Sequence, residues 1–410
     1  MSNPILSIGT QSALIRPINK AHNLPSHQRG VALIVVLLFL VLILLAGAIA
    51  VRQSTTDLKT ATADQINTLL LQSADSGNQK LEAMVALALD LVWGYAGILS
   101  LGHGLYFALG GYAMGMYLMR QASGNSLPEF MRFLSWDKMP WFWAGTDNFA
   151  WAVILVVLVP AVVAFIFGFF AFRSKIKDVY FSIITQAMVF AASLLFFRNE
   201  TGFGGNNGFT GFKTILGMDI AAPMTRTLLC FATAFVLMLA YLGLRYLMHK
   251  PYGRVLGAVR DSENRLQYLG YRTLWYKLSA WVLSAIIAGI AGALYVPQVG
   301  IINPSEMNPV NSIEMAVWVA TGGRGTLIGA ILGAGVVNAV KTYFTVAYPE
   351  AWLLILGGLF VVITLFLPKG IIGLLDNITH GKRTVEPSVK NMETAMQTNI
   401  ETNIEAKKES

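Results

Sequence analysis

The chain has 410 residues, of which 55% are hydrophobic and only 13% are charged. Soluble domains carry about 25% charged residues, so the composition excludes an ordinary soluble protein and indicates a polytopic membrane protein. The net charge of +8 arises from basic residues in short loops between apolar runs, and it does not indicate nucleic-acid binding. A single cysteine, Cys230, excludes an intrachain disulfide.

Apolar runs recur along the whole chain, and several approach the roughly 20 residues needed to cross a bilayer. They predict an all-α fold with about ten transmembrane helices. The expected spans are 31–51, 84–101, 104–120, 149–172, 179–197, 226–247, 275–297, 311–322, 325–347 and 351–367. Because the runs 84–101 and 311–322 are short or interrupted by glycine, either could be a discontinuous or re-entrant helix.

Three regions between or after these spans are basic: 173–177, 249–272 and the segment after residue 369. Basic loops favour the cytoplasmic side. An even number of spans with a cytoplasmic N-terminus places all three regions in the cytoplasm. We therefore expect both termini in the cytoplasm, with residues 376–410 as a polar, disordered tail.

The N-terminal segment has a pattern of its own. A polar leader, 1–30, ends in Gly30, and the apolar run VALIVVLLFLVLILLAGAIAV follows. Residues 31–82, an apolar helix with a polar continuation, resemble the N-terminus of a PilX-type minor type IV pilin, which implies cleavage after Gly30. The glutamate common at the fifth mature position is absent, since this residue is Val35. From the residues alone, an ordinary first transmembrane helix with a polar loop remains an alternative.

The body of the chain carries five further motifs, in the order MVALALDLVWGYAGILSLGHG, DVYFSIITQAMVF, TGFGGNNGFTG, PYGRVLGAVRDSENRLQYLGY and NPSEMNPVNSIEMAVWVATGGRGTLIGAILGA, before a final FLPKGIIGL. Together they resemble the permease subunits of branched-chain amino acid and urea ABC importers, with the urea branch closest. The resemblance covers residues 83–375, which we take as the permease domain.

This resemblance implies a function and a set of partners. The chain would be one of two permease subunits of an ATP-driven importer of urea or, as the alternative, of branched-chain amino acids. Its partners would be the second permease, two cytoplasmic ATPase subunits and a periplasmic substrate-binding protein, in the lipid bilayer of a bacterial inner membrane. A pilus-assembly component with a passive membrane domain is an alternative of another class, whereas an ion-coupled transporter is disfavoured because the spans lack a dense set of carboxylates.

The junction between the two resemblances departs from the importer pattern. Asp75, Lys80 and Glu82 occupy the first half of a helix that is apolar in the family, and charged groups are costly inside a membrane. Either this helix begins late, partly in the interface, or the chain is a chimera of a pilin-like start and a permease body.

Motifs for catalysis are absent from the sequence. It contains no GxxxxGK[ST] phosphate loop, no HExxH or Cys/His ligand set and no GxSxG elbow. We therefore expect no catalytic residue, no metal site and no cofactor in this chain, and we expect ATP hydrolysis to occur in partner chains.

The charged segment 251–272 lies between two long apolar runs, and the family resemblance makes it the helix that couples the permease to its ATPases. The candidate coupling residues are Arg254, Arg260, Asp261, Glu263, Arg265 and Gly270. We expect an apolar contact face for a partner from Val255, Leu256, Val259 and Leu266. The alternative is a basic loop that only sets the topology.

Polar residues within the spans are candidates for a substrate path, since they are expensive in lipid and are usually paired or functional. A small neutral solute needs hydrogen-bonding groups rather than charge, which suggests Ser100, His103, Gln186 and Asn338. The alternative for His103 is a turn that satisfies backbone groups. Asp90 must have a partner, and Glu314 marks either a pore mouth or an interface boundary.

Overall fold

The computed structural model describes residues 67–124, 126–176, 178–347, 352–366 and 370–379. The predictions for the leader, for the span 31–51, for cleavage after Gly30 and for most of the C-terminal tail lie outside the described residues.

Helices dominate the described part of the chain. They are α1 (Asn67–Asp90), α2 (His103–Ser123), α3 (Glu129–Phe133), α4 (Phe149–Arg173), α5 (Asp178–Phe197), α6 (Pro223–His249), α7 (Pro251–Tyr268), α8 (Thr273–Val299), α9 (Pro309–Gly322), α10 (Leu327–Ala347), α11 (Trp352–Phe366) and α12 (Gly370–Thr379). Four strands of two residues each complete it: β1 (Phe209–Thr210), β2 (Thr214–Ile215), β3 (Met218–Asp219) and β4 (Ile301–Ile302). The antiparallel pairs are β1 with β4 and β2 with β3.

The all-α class is therefore confirmed, whereas the count of ten spans is not. Among the described residues, five helices are long and apolar enough to cross a membrane, namely α4, α5, α6, α8 and α10. α4 illustrates why these helices suit a membrane. It is apolar all round, and its outward residues, such as Phe165 and Ile166, are exposed on the surface of the chain. Such a helix is stable where its outer face meets lipid.

The core forms where α1, α2 and α4 surround α8. Small residues allow this close approach. A side chain at Gly292 of α8 would collide with the carbonyl oxygen of Phe107 in α2, and one at Gly289 would come within 2.7 Å of Pro160 in α4. The two glycines thus set the spacing of α2 and α4 against α8.

Two helices are interrupted, and the run 84–101 is discontinuous, which the sequence analysis gave as one possibility for it. α1 continues as a π-helical turn, Leu91–Tyr95, and the chain is then non-helical until α2 begins at His103. Gly97, at φ +75°, allows this change of direction. The second interruption, residues 323–326, separates the 14-residue α9 from α10.

The two interruptions meet at the end of the bundle that carries α7. α1 and α8 are antiparallel, since Ser284 donates a hydrogen bond to the carbonyl of Ala88 at 2.5 Å, and a Cβ on Gly77 would collide with Gln298. At the α7 end, the backbone N–H of Gly325 donates to Asp90 Oδ1 at 2.7 Å. The predicted need of Asp90 for a partner is met by this backbone group.

Candidate coupling and translocation sites

The predicted coupling helix, α7, consists of two short helices joined by a kink. Ser262 has φ −162° and ψ 87°, which interrupts the helical backbone. The first part is held against α8, because Tyr252 shares a hydrogen bond of 2.8 Å with Ser279 Oγ. Burial raises the pKa of the Tyr252 phenol, so the group stays protonated at neutral pH and can keep this hydrogen bond.

The second part of α7 is anchored through Glu263. Its carboxylate accepts hydrogen bonds from Lys277 Nζ, with both oxygens at 3.0 Å, and from Thr273 Oγ1 at 3.0 Å. The Lys277 and Glu263 side chains are 8% and 19% exposed. In this structure Glu263 therefore binds α8 of its own chain and fixes the angle of the kink.

Arg260 connects α7 with the interrupted end of α1. Its Nη1 donates to the carbonyl of Gly94 at 2.7 Å, while its Nε donates to Asp261 Oδ1 at 3.1 Å. A Cβ on Gly94 would lie 2.3 Å from the backbone nitrogen of Gly325. We call this contact between α7, the π-helical turn and the loop 323–326 the junction. A side chain at Gly94 would force its segments apart.

The prediction of an apolar contact face for a partner is wrong for three of its four residues. Leu256, Val259 and Leu266 are buried against the core of this chain, because the amphipathic face of α7 packs on its own bundle. Arg254, Arg265 and Gly270 are exposed. Their assignment to ATPase coupling stays a prediction.

An exposed apolar tip, which the sequence reasoning missed, follows the last turn of α7. Tyr268 is 91% exposed and Leu269 is 76% exposed, and Tyr271 follows Gly270, whose φ is +87°. Large apolar residues directly before a glycine at the end of a charged helix were the signal in the sequence. Exposed aromatic residues in such a position are typical of protein contacts.

The structure brings two of the four predicted substrate-path residues together. His103 Nδ1 lies 3.1 Å from Ser100 Oγ, and its Nε2 lies 2.6 Å from Ser284 Oγ. All three residues are buried. This hydrogen-bond chain holds the start of α2 against α8, where a helix begins inside the bundle.

Gln186 and Asn338 are not hydrogen-bonded to that pair among the described residues. Gln186 is half-buried on α5. Asn338 is 4% exposed on α10, and neither polar atom of its amide has a hydrogen-bond partner among the described residues. Assignment of these four residues to a substrate path stays a prediction.

A cavity of about 210 Å³ lies between α1, α2, α8, α9 and α10, on the side of the core away from the junction. We call it the polar cavity. Its polar lining comprises Asn78, Glu82, Tyr295, Glu306, Asn311, Glu314 and Lys341.

Two contacts organise the wall of the polar cavity. Lys341 Nζ of α10 lies 2.7 Å from Glu314 Oε1 of α9. The Tyr295 hydroxyl of α8 donates to Glu306 Oε1 at 3.1 Å. Glu314 is therefore buried in the bundle and forms an ion pair with Lys341.

Two of the three charged residues at the predicted junction of the two resemblances, Lys80 and Glu82, are half-buried. Glu82 lines the polar cavity, and Lys80 Nζ lies 2.8 Å from Cys230 Sγ on α6. α1 is helical across the boundary predicted between residues 82 and 83. Of the charged cavity groups, sequence reasoning considered Glu82 only as a cost and missed Glu306 and Lys341. For Lys341, its isolation within the apolar run 327–347 was the available signal.

The comparisons with known proteins agree with this architecture. Residues 81–364 match the family model described as "Branched-chain amino acid transport system / permease component". The chain belongs to this permease family. It is therefore a multi-pass membrane subunit of an ABC importer, a transport protein rather than an enzyme, and its relatives work with ATPase and substrate-binding partners.

Curated relatives match between 35% and 70% of this chain. The high-affinity branched-chain amino acid transport system permease protein LivM of Salmonella typhimurium is 25% identical over 70% of this chain and 67% of the relative. The probable branched-chain amino acid transport permease LivM of Methanocaldococcus jannaschii is 25% identical over 70% and 89%. The autoinducer 2 import system permease LsrC of Yersinia pestis is 28% identical over 35% and 43%.

A second model, "PilX N-terminal", matches residues 29–78 of the permease, of which only 67–78 lie within the described residues. No solved structure matches the chain.

Proposed function

We propose that the chain is one of two permease subunits of an inner-membrane importer of free amino acids, driven by two cytoplasmic ATPases and supplied by a periplasmic binding protein. Both termini would lie in the cytoplasm, together with α7. The observation that carries the substrate class is the polar cavity, which places three carboxylates and one ammonium group inside the bundle. Free amino acids carry both charges that such a wall can bind.

Urea, the substrate favoured by the sequence resemblance, has no group that requires these charges. A neutral solute is served by hydrogen-bonding groups alone, and charged side chains inside a membrane protein are too costly to be kept without use. The LivM relatives, whose names refer to branched-chain amino acids, support the same choice.

Coupling would proceed through the junction. The exposed tip of α7 at Tyr268 and Leu269 would bind an ATPase, and the anchor between Glu263 and Lys277 would make α7 move as one body with the start of α8. Arg260 would then carry this movement to Gly94, at the π-helical turn of α1. π-helical turns are frequent at functional sites. This one borders the loop between α9 and α10, and both of these helices line the polar cavity.

Uptake by the complete importer tests the proposal. The permeases, ATPases and binding protein are expressed together, and uptake of labelled leucine and labelled urea is measured with and without ATP. We expect ATP-dependent leucine uptake and no urea uptake. Urea uptake without uptake of any amino acid would overturn the proposed substrate class, and urea would then be the substrate.

A further inference from the structure

We infer that the polar cavity is a binding site for an aliphatic α-amino acid in its zwitterionic form, in which Glu306 binds the ammonium group and Lys341 binds the carboxylate. This inference rests on the proposed function and assigns residues to it. It places the site in the permease itself, between α1, α8, α9 and α10, rather than at the Ser100–His103 pair.

The volume of the cavity suits one small molecule. Sites for drug-sized ligands occupy roughly 300–1,000 Å³, and the polar cavity, at about 210 Å³, is smaller. Its wall also has an apolar part, formed by Leu81, Val85, Phe107 and Met315. A ligand with charged groups at one end and an aliphatic chain at the other matches both parts of this wall.

Among the charged groups of the wall, Glu306 is the candidate for binding a cation. Three carboxylates, Glu82, Glu306 and Glu314, line the cavity with one cation, Lys341. Lys341 pairs with Glu314, and within the described residues Glu306 accepts a hydrogen bond from the neutral Tyr295 hydroxyl and has no ion pair. An ionised carboxylate in such a place is stabilised by a cation, and the ammonium group of a ligand supplies one.

Two polar groups of the wall without hydrogen-bond partners give a second, independent indication of a ligand. Trp318 is 5% exposed and lines the cavity, and its indole Nε1 has no acceptor among the described residues. Asn78 also lines the cavity, and its buried Oδ1 has no donor there. Buried polar groups are nearly always hydrogen-bonded in native proteins. An amino acid supplies what each lacks, a carboxylate oxygen for Trp318 and an ammonium hydrogen for Asn78.

The orientation follows from the positions of these groups. Glu306 and Asn78 both offer acceptors to the ammonium, whereas Lys341 and Trp318 both offer donors to the carboxylate. Lys341 would bind the carboxylate while it stays close to Glu314. The ligand would thereby extend the pair Lys341–Glu314 into a network that also gives Glu306 a cationic partner.

Binding to the complex of permeases and ATPases, without the substrate-binding protein, tests this inference by calorimetry. The probes are leucine, isoamylamine, which lacks the carboxylate, and isocaproate, which lacks the ammonium group. For Glu306→Gln we expect leucine and isoamylamine to bind at least tenfold more weakly, with isocaproate unchanged. For Lys341→Gln we expect the reverse selectivity between the two analogues. Glu306→Asp should retain part of the affinity, and Glu200→Gln, on an exposed loop, is the matched control.

The possible results distinguish an error in the assignment of the cavity from an error in the proposed function. If Glu306→Gln and Lys341→Gln both bind leucine as the wild type does, the assignment of the cavity is wrong, while leucine uptake by the wild-type importer leaves the proposed function intact. A uniform loss with all three probes would show general disruption and would overturn the assigned roles. If the wild type takes up urea and no amino acid, the proposed function itself is wrong.

Discussion

Arg260 on α7 donates a hydrogen bond of 2.7 Å to the carbonyl of Gly94, a residue that precedes it by 166 positions. The acceptor belongs to the π-helical turn that ends α1, and Gly325 of the second interrupted segment lies beside it. A single side chain of the coupling helix thus reaches both places at which the membrane helices are broken.

Replacement of this side chain should separate ATP hydrolysis from transport. A hydrogen bond to a charged group contributes about 1.5–3 kcal/mol when buried, and Arg260 is partly exposed. We therefore expect Arg260→Gln to lower uptake per ATP hydrolysed by about tenfold, with unchanged membrane level and ATPase co-purification. Arg132→Gln, an exposed arginine on α3, is the control. Normal coupling in Arg260→Gln would show that the junction does not carry the movement.

Gly94→Ala should reduce stability and uptake strongly, although it adds only one methyl group. The added methyl group would collide with the backbone of Gly325, which is the donor to Asp90. We expect reduced thermal stability of the purified complex and loss of uptake. Gly257→Ala on α7, where the new Cβ meets nothing within 4 Å, is the matched control. It should be neutral or stabilise by up to about 1 kcal/mol, because alanine is the better helix former. Equal behaviour of both variants would contradict the close approach at Gly94.

Lys277→Met should destabilise the attachment of α7 to α8. Removal of one partner of a buried ion pair costs about 3–5 kcal/mol, because the remaining charge is left uncompensated. The double variant Glu263→Gln with Lys277→Met should recover much of this loss. Thermal unfolding of the wild type, the two single variants and the double variant measures the interaction energy between Glu263 and Lys277. Additive losses would indicate that Glu263 and Lys277 act independently, in conflict with their contact at 3.0 Å.

The orientation in the membrane is tested by labelling. In a Cys230→Ser background, cysteine is introduced at Asn207 or Asn264, which are both exposed. An impermeant reagent should label position 207 in intact cells, and position 264 only after permeabilisation, since the basic loops favour the cytoplasm. Labelling at 264 but not at 207 would reverse the assignment.

The hydropathy of the chain predicted α4, α5, α6 and α8 to within a few residues, because lipid-facing helices must be apolar over their whole length. It marked the run 84–101 as interrupted by glycine, but it did not locate the break after Asp90. Whether a helix continues there depends on the contact of Gly94 with Gly325, more than two hundred residues later. The kink at Ser262 has a similar cause, since Lys277 on another helix holds Glu263 in place.

The candidate site was harder to predict for the same reason. Ser100 and His103 were chosen because they lie within or beside apolar runs, and they prove to be hydrogen-bonded to each other, while His103 is also hydrogen-bonded to Ser284. Glu306 and Lys341 lie on different elements, and only the fold brings both into the lining of one cavity. An isolated charge in an apolar segment can be found in a sequence, but its partner across the bundle cannot be read from spacing along one helix.

Asn78 and Glu82 both line the cavity because they lie four residues apart on α1, on one face of the helix. The pilin model ends at residue 78 and the permease model begins at residue 81, so the boundary between the two matches falls inside this helix. At 3.6 residues per turn, one residue inserted at Gln79 would rotate everything before it by about 100°. Any exchange of the N-terminal part at this boundary must therefore keep the helical phase, since otherwise Asn78 turns away from the cavity while Glu82 remains.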